Sequence, residues 1–193
     1  AVEDPFLSNT EAPDLDLSQR AKTYLDMIIA QCGDTPCTLI GWSFGALIGY
    51  EMATQAADKI GELVLIDPPH PITTAPTSTE TEAAFLAEIT HRKHLGAAPP
   101  DAAQTHPYLA GILGAWRRNS AAMRNYRPTK TSATPTTLWL AQDQDQCDAR
   151  RKAWQDLIPA LNHHVLPADH FTILQPPHIS QIATSILMPE CAE

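Results

Sequence analysis

The sequence predicts an α/β fold: a mostly parallel sheet with helices on both faces and a helical lid insertion. Three observations carry that prediction. Short strand-type runs alternate with segments of helical periodicity, the order that builds a parallel sheet. The runs Leu63-Val64-Leu65-Ile66 and Leu138-Trp139-Leu140-Ala141 are apolar throughout, as strands covered on both faces are. Between a third such run, Thr38-Leu39-Ile40, and a helix-type run, Ala46 to Ala53, stands Gly41-Trp42-Ser43-Phe44-Gly45. A serine between two glycines at a strand-to-helix junction is the context of a nucleophile elbow.

Taken in order, Ser18 reads as an N-cap, and Ala21, Tyr24, Leu25, Ile28 and Ile29 follow at helical spacing, predicting a helix over 18–31. A turn at 33–36 leads to a strand at 37–41, the elbow, and a helix to about 57. On that helix Gly45 and Gly49 share a face, so it can lie close on the sheet. Residues 62–66 form the second strand. From about 68 to 134 the pattern changes: a Pro- and Thr-rich stretch at 68–79 is irregular, and helices follow near 80–95 and 107–125. An insertion between two core strands reads as a lid, because loops at the carboxyl ends of strands surround the site. The core resumes with a strand at 136–141, a helix at 148–157, a strand at 162–166 and a last helix near 178–188, all within a single domain.

Composition narrows the partners. The 193 residues carry a net charge of −9, and the pI is near 5.2, which argues against nucleic acid because phosphate binding needs a basic face. The short clusters Arg117-Arg118 and Arg150-Arg151-Lys152 read as solvated helix faces. No apolar run approaches the roughly 18 residues of a membrane span. The start, Ala1-Val2-Glu3-Asp4-Pro5, has neither the basic nor the apolar region of a signal peptide. A cytoplasmic protein without membrane contact is expected. Cys32, Cys37, Cys147 and Cys191 lack metal-type spacing and are expected to be reduced thiols.

At the elbow, the tight turn strains the serine backbone and projects the Ser43 hydroxyl out of the sheet edge. Gly41 and Gly45 are expected because a β-carbon at either would strike the neighbouring strand or helix. The Phe44 backbone N–H, at a helix start, points where an oxyanion would form. A serine hydroxyl is a poor nucleophile at neutral pH and needs a base, with an acid to orient that base. In the α/β-hydrolases that this turn resembles, the chain order is Ser, acid, His. His170 falls just past the last strand, at the same sheet edge as Ser43, and is the candidate base. His163 and His164 fall at the strand's entry; a metal site of His163, His164 and His170 is disfavoured because adjacent strand residues point to opposite faces. His178 starts the final helix, His70 lies in the loop after Asp67, and His91, His94 and His106 lie in the insertion. For the acid, Asp67 ends the strand 62–66, whereas Asp143 and Asp145 follow the strand 136–141. Position alone leaves both locations open.

Three segments together resemble the terminal thioesterase domains of nonribosomal peptide and polyketide synthases: residues 41–53, Leu63-Val64-Leu65-Ile66-Asp67-Pro68, and Ala168-Asp169-His170-Phe171-Thr172-Ile173-Leu174. The helix before the elbow and Trp116, Asn119, Tyr126 and Pro128 also suit that family. The likeness covers roughly residues 10–188. It implies Asp67 as the acid, with Ser43 taking an acyl or peptidyl chain from the phosphopantetheine thioester of a carrier protein. The acyl-Ser43 ester would then be released by water or by an internal nucleophile. It implies no cofactor within the domain and no metal, with a carrier protein and other synthase modules as partners. Ala46 stands where that family most often has a glycine. Such domains also begin with strands and a glycine-containing loop that donates a second oxyanion N–H. Nothing before Ser18 resembles these, so an N-terminally incomplete domain is expected, with an uncovered apolar sheet edge. Two rival readings remain. One is a stand-alone editing thioesterase or esterase using Asp143 or Asp145; the other is a non-catalytic hydrolase-like docking module.

Overall fold

The structure is a computed structural model that describes residues 13–33, 35–72, 79–92, 107–142 and 147–188. These fall into two compact units, divided between residues 17 and 18, 71 and 72, and 126 and 127. The larger unit carries the sheet. Its elements are α1 (Leu17–Cys32, from its second residue on), β1 (Cys37–Trp42), α2 (Phe44–Gln55), β2 (Ile60–Ile66), β3 (Thr136–Ala141), α5 (Cys147–Leu157), β4 (Leu161–Leu166) and α6 (His178–Leu187). The smaller unit carries α3 (Thr79–Arg92) and α4 (Pro107–Asn125).

All strand pairings are parallel, and the order β1-β2-β3-β4 follows the chain. Parallel neighbours in register point to the same side, so two faces can be read from the pairs Trp42↔Ile66 and Ile66↔Trp139. On that side Val64, Ile66, Trp139, Ala141 and Leu166 form a buried cluster with Ile173 and with Ile182 of α6. On the other side a β-carbon at Gly49 of α2 would sit 3.2 Å from Leu63 Cδ1, so the helix lies close on the sheet there. Tyr50 of α2 meets Trp154 of α5 edge-to-face at 5.3 Å. Helices therefore cover both faces, as the alternation of runs predicts. β1 has β2 on one side and, among the described residues, no strand on the other; Ile40 in it is 55% exposed.

Several details differ from the sequence reading. The first helix begins at Leu17, so Ser18 sits inside its first turn and is not the cap. Its hydroxyl instead donates to Glu51 Oε1 of α2 at 2.8 Å, and Gln55 Nε2 donates back to Ser18 Oγ at 2.9 Å. These bonds hold α1 beside α2. Strand β2 starts two residues before 62 because Ile60 and Cys37 pair beside a register shift. The insertion's helices lie where periodicity puts them; the expected continuation of the first to residue 95 lies outside the described residues, as do residues 73–78. Within the smaller unit, Arg117 of α4 forms two bonds to Glu82 of α3, at 2.8 and 2.6 Å. Trp116 stacks on Phe85 beside them at 5.1 Å. Among the described residues no helix is long and apolar enough to cross a membrane. Cys32, Cys37 and Cys147 are free thiols, and Cys191 lies outside the described residues.

Candidate active site

The site lies at the carboxyl ends of the strands, where each departing chain extends the ladder by one bond. Ser43 N–H donates to Ile66 O at 2.9 Å, Asp67 N–H to Trp139 O at 2.7 Å, and Gln142 N–H to Leu166 O at 2.9 Å. These bonds fix three strand ends in the same stagger. Two of the residues then turn sharply: Ser43 has φ 55° and Asp67 has φ 40°, conformations that side-chain-bearing residues seldom adopt. Gly41 makes the first turn possible, because a β-carbon there would lie 2.5 Å from Gly45 O and 2.7 Å from the Ala46 backbone. Gly45 is a correction. A β-carbon there would meet nothing within 4 Å, so the clash expected at both glycines is confined to Gly41. The reason is the direction of the turn, which folds the start of α2 over Gly41 and leaves Gly45 facing open space.

A serine before a helix usually caps it with its own hydroxyl. Ser43 makes no such bond. Its Oγ lies 3.0 Å from His170 Nε2, and His170 Nδ1 lies 2.6 Å from Asp67 Oδ2. A carboxylate only accepts, so Nδ1 carries the proton toward Asp67 and neutral Nε2 is left to accept from the serine hydroxyl. His170 is a quarter exposed, whereas the Asp67 side chain is fully buried. Asp67 Oδ1 is also occupied, accepting from the Ala141 N–H and from Arg150 Nη1, each at 3.0 Å. Burial works to raise the Asp67 pKa. The bonds from His170 and Ala141 and the Arg150 charge outweigh it and hold the carboxyl below its usual value. Phe44 is the first residue of α2, so its N–H has no acceptor within the helix.

The His170 loop is shaped by its own neighbours. Asp169 Oδ1 accepts from the N–H groups of Phe171 and Thr172 at 2.7 and 2.8 Å, which turns the chain into a short 3₁₀ segment at Thr172–Leu174. Trp42, next to the serine, stacks on the His170 ring at 4.9 Å and donates its indole N–H to His170 O at 3.0 Å. The structure thus brings Ser43, Asp67 and His170 together. Asp143, Asp145, His94 and His106 lie outside the described residues, and His91 lies in α3. His163 and His164 are exposed on β4, the latter stacked on Trp139 at 4.1 Å. Among the described residues no three His, Cys, Asp or Glu side chains gather as metal ligands.

Arg150 is the residue that sequence reasoning missed, and it corrects the view of 150–152 as a solvated face. Arg151 and Lys152 do face outward, but Arg150 is 7% exposed and bonded to Asp67. The signal was available: Arg150 lies four residues before Trp154, so both fall on one face of α5, and Trp154 is fully buried. Trp42 carried no such signal, because its stacking partner is 128 positions away.

The parallel sheet and its elbow are those of the α/β-hydrolase fold. The particular family follows from comparison: the Thioesterase domain model matches residues 1–187, and the chain belongs to that family of hydrolases. It is 26% identical over 186 residues to orsellinic acid synthase armB of Armillaria mellea, an alignment covering 89% of this chain and 8% of that protein. The chain therefore spans under a tenth of the length of that synthase. Among solved structures, the NocB thioesterase domain in covalent complex with a fluorophosphonate nocardicin G analog superposes with a TM-score of 0.74 at 25% identity, over 96% of this chain and 79% of that one. A four-domain nonribosomal peptide synthetase, holo-AB3403 bound to AMP and glycine, shares the fold at a TM-score of 0.81 and 19% identity, over 100% of this chain and 17% of that one.

Proposed function

We propose that this thioesterase domain releases an acyl or peptidyl chain from a carrier-protein phosphopantetheine thioester through an acyl-Ser43 intermediate. The observation that carries the reading is the bonded series Ser43–His170–Asp67 at a strained strand end. Ser43 Oγ attacks the thioester carbonyl while His170 Nε2 takes its proton. The Phe44 N–H donates to the developing oxyanion, and Asp67 stabilises the imidazolium that forms. Collapse breaks the C–S bond and expels the pantetheine thiolate, which takes the serine's proton from His170 and leaves as the thiol. The acyl-Ser43 ester is then attacked by water, or by a nucleophile within the acyl chain, with His170 again as base. Residues 68–134 are assigned as the lid of a single domain. The carrier protein and other synthase modules are the expected partners, since the similar proteins are multidomain synthases.

The test uses a fluorophosphonate probe and an acyl thioester of N-acetylcysteamine. Wild-type protein should be labelled at Ser43, located by peptide mass mapping, and should turn over the thioester with a burst. Labelling elsewhere, or none, would reject the acyl-serine route. It would favour the docking-module reading. Product analysis with a chain bearing an internal hydroxyl or amine separates hydrolysis from cyclisation.

A further inference from the structure

The bonding around Asp67 is more elaborate than orienting a histidine requires. One carboxylate oxygen serves His170, and the other is shared by the Ala141 N–H and Arg150. The same Arg150 Nη1 also donates to Pro68 O at 3.0 Å, so a single nitrogen grips both the side chain and the next backbone carbonyl of a corner at φ 40°. Arg150 is 7% exposed, and its Nε and Nη2 are buried with no hydrogen-bond partner. Burying a guanidinium that is only partly satisfied is costly. The packing of Trp154 explains why α5 is there, since its indole N–H bonds Pro69 O at 3.0 Å. It does not explain a charge at position 150.

We infer that Arg150 is a positioning residue, which holds the Asp67 carboxylate in one rotamer and sets the proton affinity of His170 through it. This inference rests on the proposed acyl-serine reading. Its positive charge offsets part of the negative field that Asp67 projects onto the imidazole, and its grip on Pro68 O keeps Oδ2 aimed at Nδ1. Among the described residues, the polar and charged groups around the imidazole are Ser43 from the end of β1, Asp67 from the end of β2, Arg150 behind it from α5, and Asp169 in its own loop. Asp169 Oδ1 is engaged by two backbone N–H groups.

The rate of fluorophosphonate labelling against pH is the measurement, because it reads the free base form of His170 without a natural substrate. In Arg150→Met the imidazolium loses the repelling positive charge behind Asp67, so the acid limb should move up by about half a pH unit or more. The plateau rate should fall about tenfold as Asp67 Oδ1 keeps only the Ala141 N–H. Arg150→Lys should keep the limb near its wild-type position. Arg150→Gln, which retains a donor but no charge, should move it as Met does and serves if the Met variant fails to fold. In an Asp67→Asn background, Arg150→Met should cost no further plateau rate. An unmoved limb in both neutral variants, or an equal plateau loss with and without Asp67, would overturn the inference while leaving Ser43 labelling intact. Absence of wild-type labelling would remove the reading on which it rests.

Discussion

The corners after β1 and β2 use the same backbone device for opposite ends. Each ends a parallel strand, each donates its first N–H to the next strand's carbonyl, and each carries a side chain at positive φ. At the first corner the strain turns a hydroxyl outward, where its polar partner among the described residues is His170 Nε2. At the second it turns a carboxylate inward, where both oxygens are bonded and no surface remains exposed. The difference lies in the chain just beyond each corner. Ser43 leads at once into α2, whose start closes over Gly41. Asp67 leads into Pro68 and Pro69, whose carbonyls are taken by Arg150 and Trp154 of α5. The same strain therefore serves two different ends, set by the partner supplied to each strained side chain.

The contrast can be broken most completely at the first corner. Ser43→Ala should abolish fluorophosphonate labelling and lower thioester turnover by about 10⁶-fold, with an unchanged melting temperature. At the second corner, Asp67→Asn should lower turnover by about 10⁴-fold. Stability sharpens the same point: the folded-state pKa of Asp67 lies below its unfolded value near 3.9. Its ionised form therefore adds stability above that pH, which is lost as pH falls through the folded value. Urea unfolding of Asp67→Asn should lack that acid-side slope.

Next in size is the turn itself. Gly41→Ala should cost about 1–3 kcal/mol in urea unfolding, because backbone atoms must move to admit the methyl. Gly45→Ala, in open space at the start of α2, should be neutral or stabilising by up to about 1 kcal/mol. Equal destabilisation by the two would mean that the corner closes differently. Smallest is Trp42→Leu, which removes the ring stacked on His170. A loss of about 3- to 30-fold in turnover is expected from a missing cation–π contact with the imidazolium, read by comparing thioester kinetics at pH 6 and 8.

What could be read in the sequence was whatever a local pattern controls. Strand β3 matches its predicted span, since Leu138-Trp139-Leu140-Ala141 is apolar on both faces and both faces are covered. The elbow was legible because Gly41 and Ser43 act within a few residues of each other. Arg150 was misread because its neighbours Arg151 and Lys152 are solvated, and its own burial depends on a carboxylate 83 positions away. Ser18 was misread for the same reason: a hydroxyl at a helix start resembles a cap until another helix offers it a carboxylate. The choice between Asp67 and the aspartates after β3 rested on family likeness, since a strand-end aspartate looks the same at either place.

The strand order also has a consequence for a chain that emerges from the ribosome one residue at a time. β1 to β4 lie side by side in the order in which they are made, so each strand's earlier neighbour in the sheet is the one synthesised just before it. Ser43 is synthesised early, and the histidine hydrogen-bonded to it lies 127 positions later, beyond β4. A nascent chain therefore carries an elbow serine with no base beside it. On the proposed mechanism, acyl chemistry switches on only when the last strand docks and brings its loop over the serine.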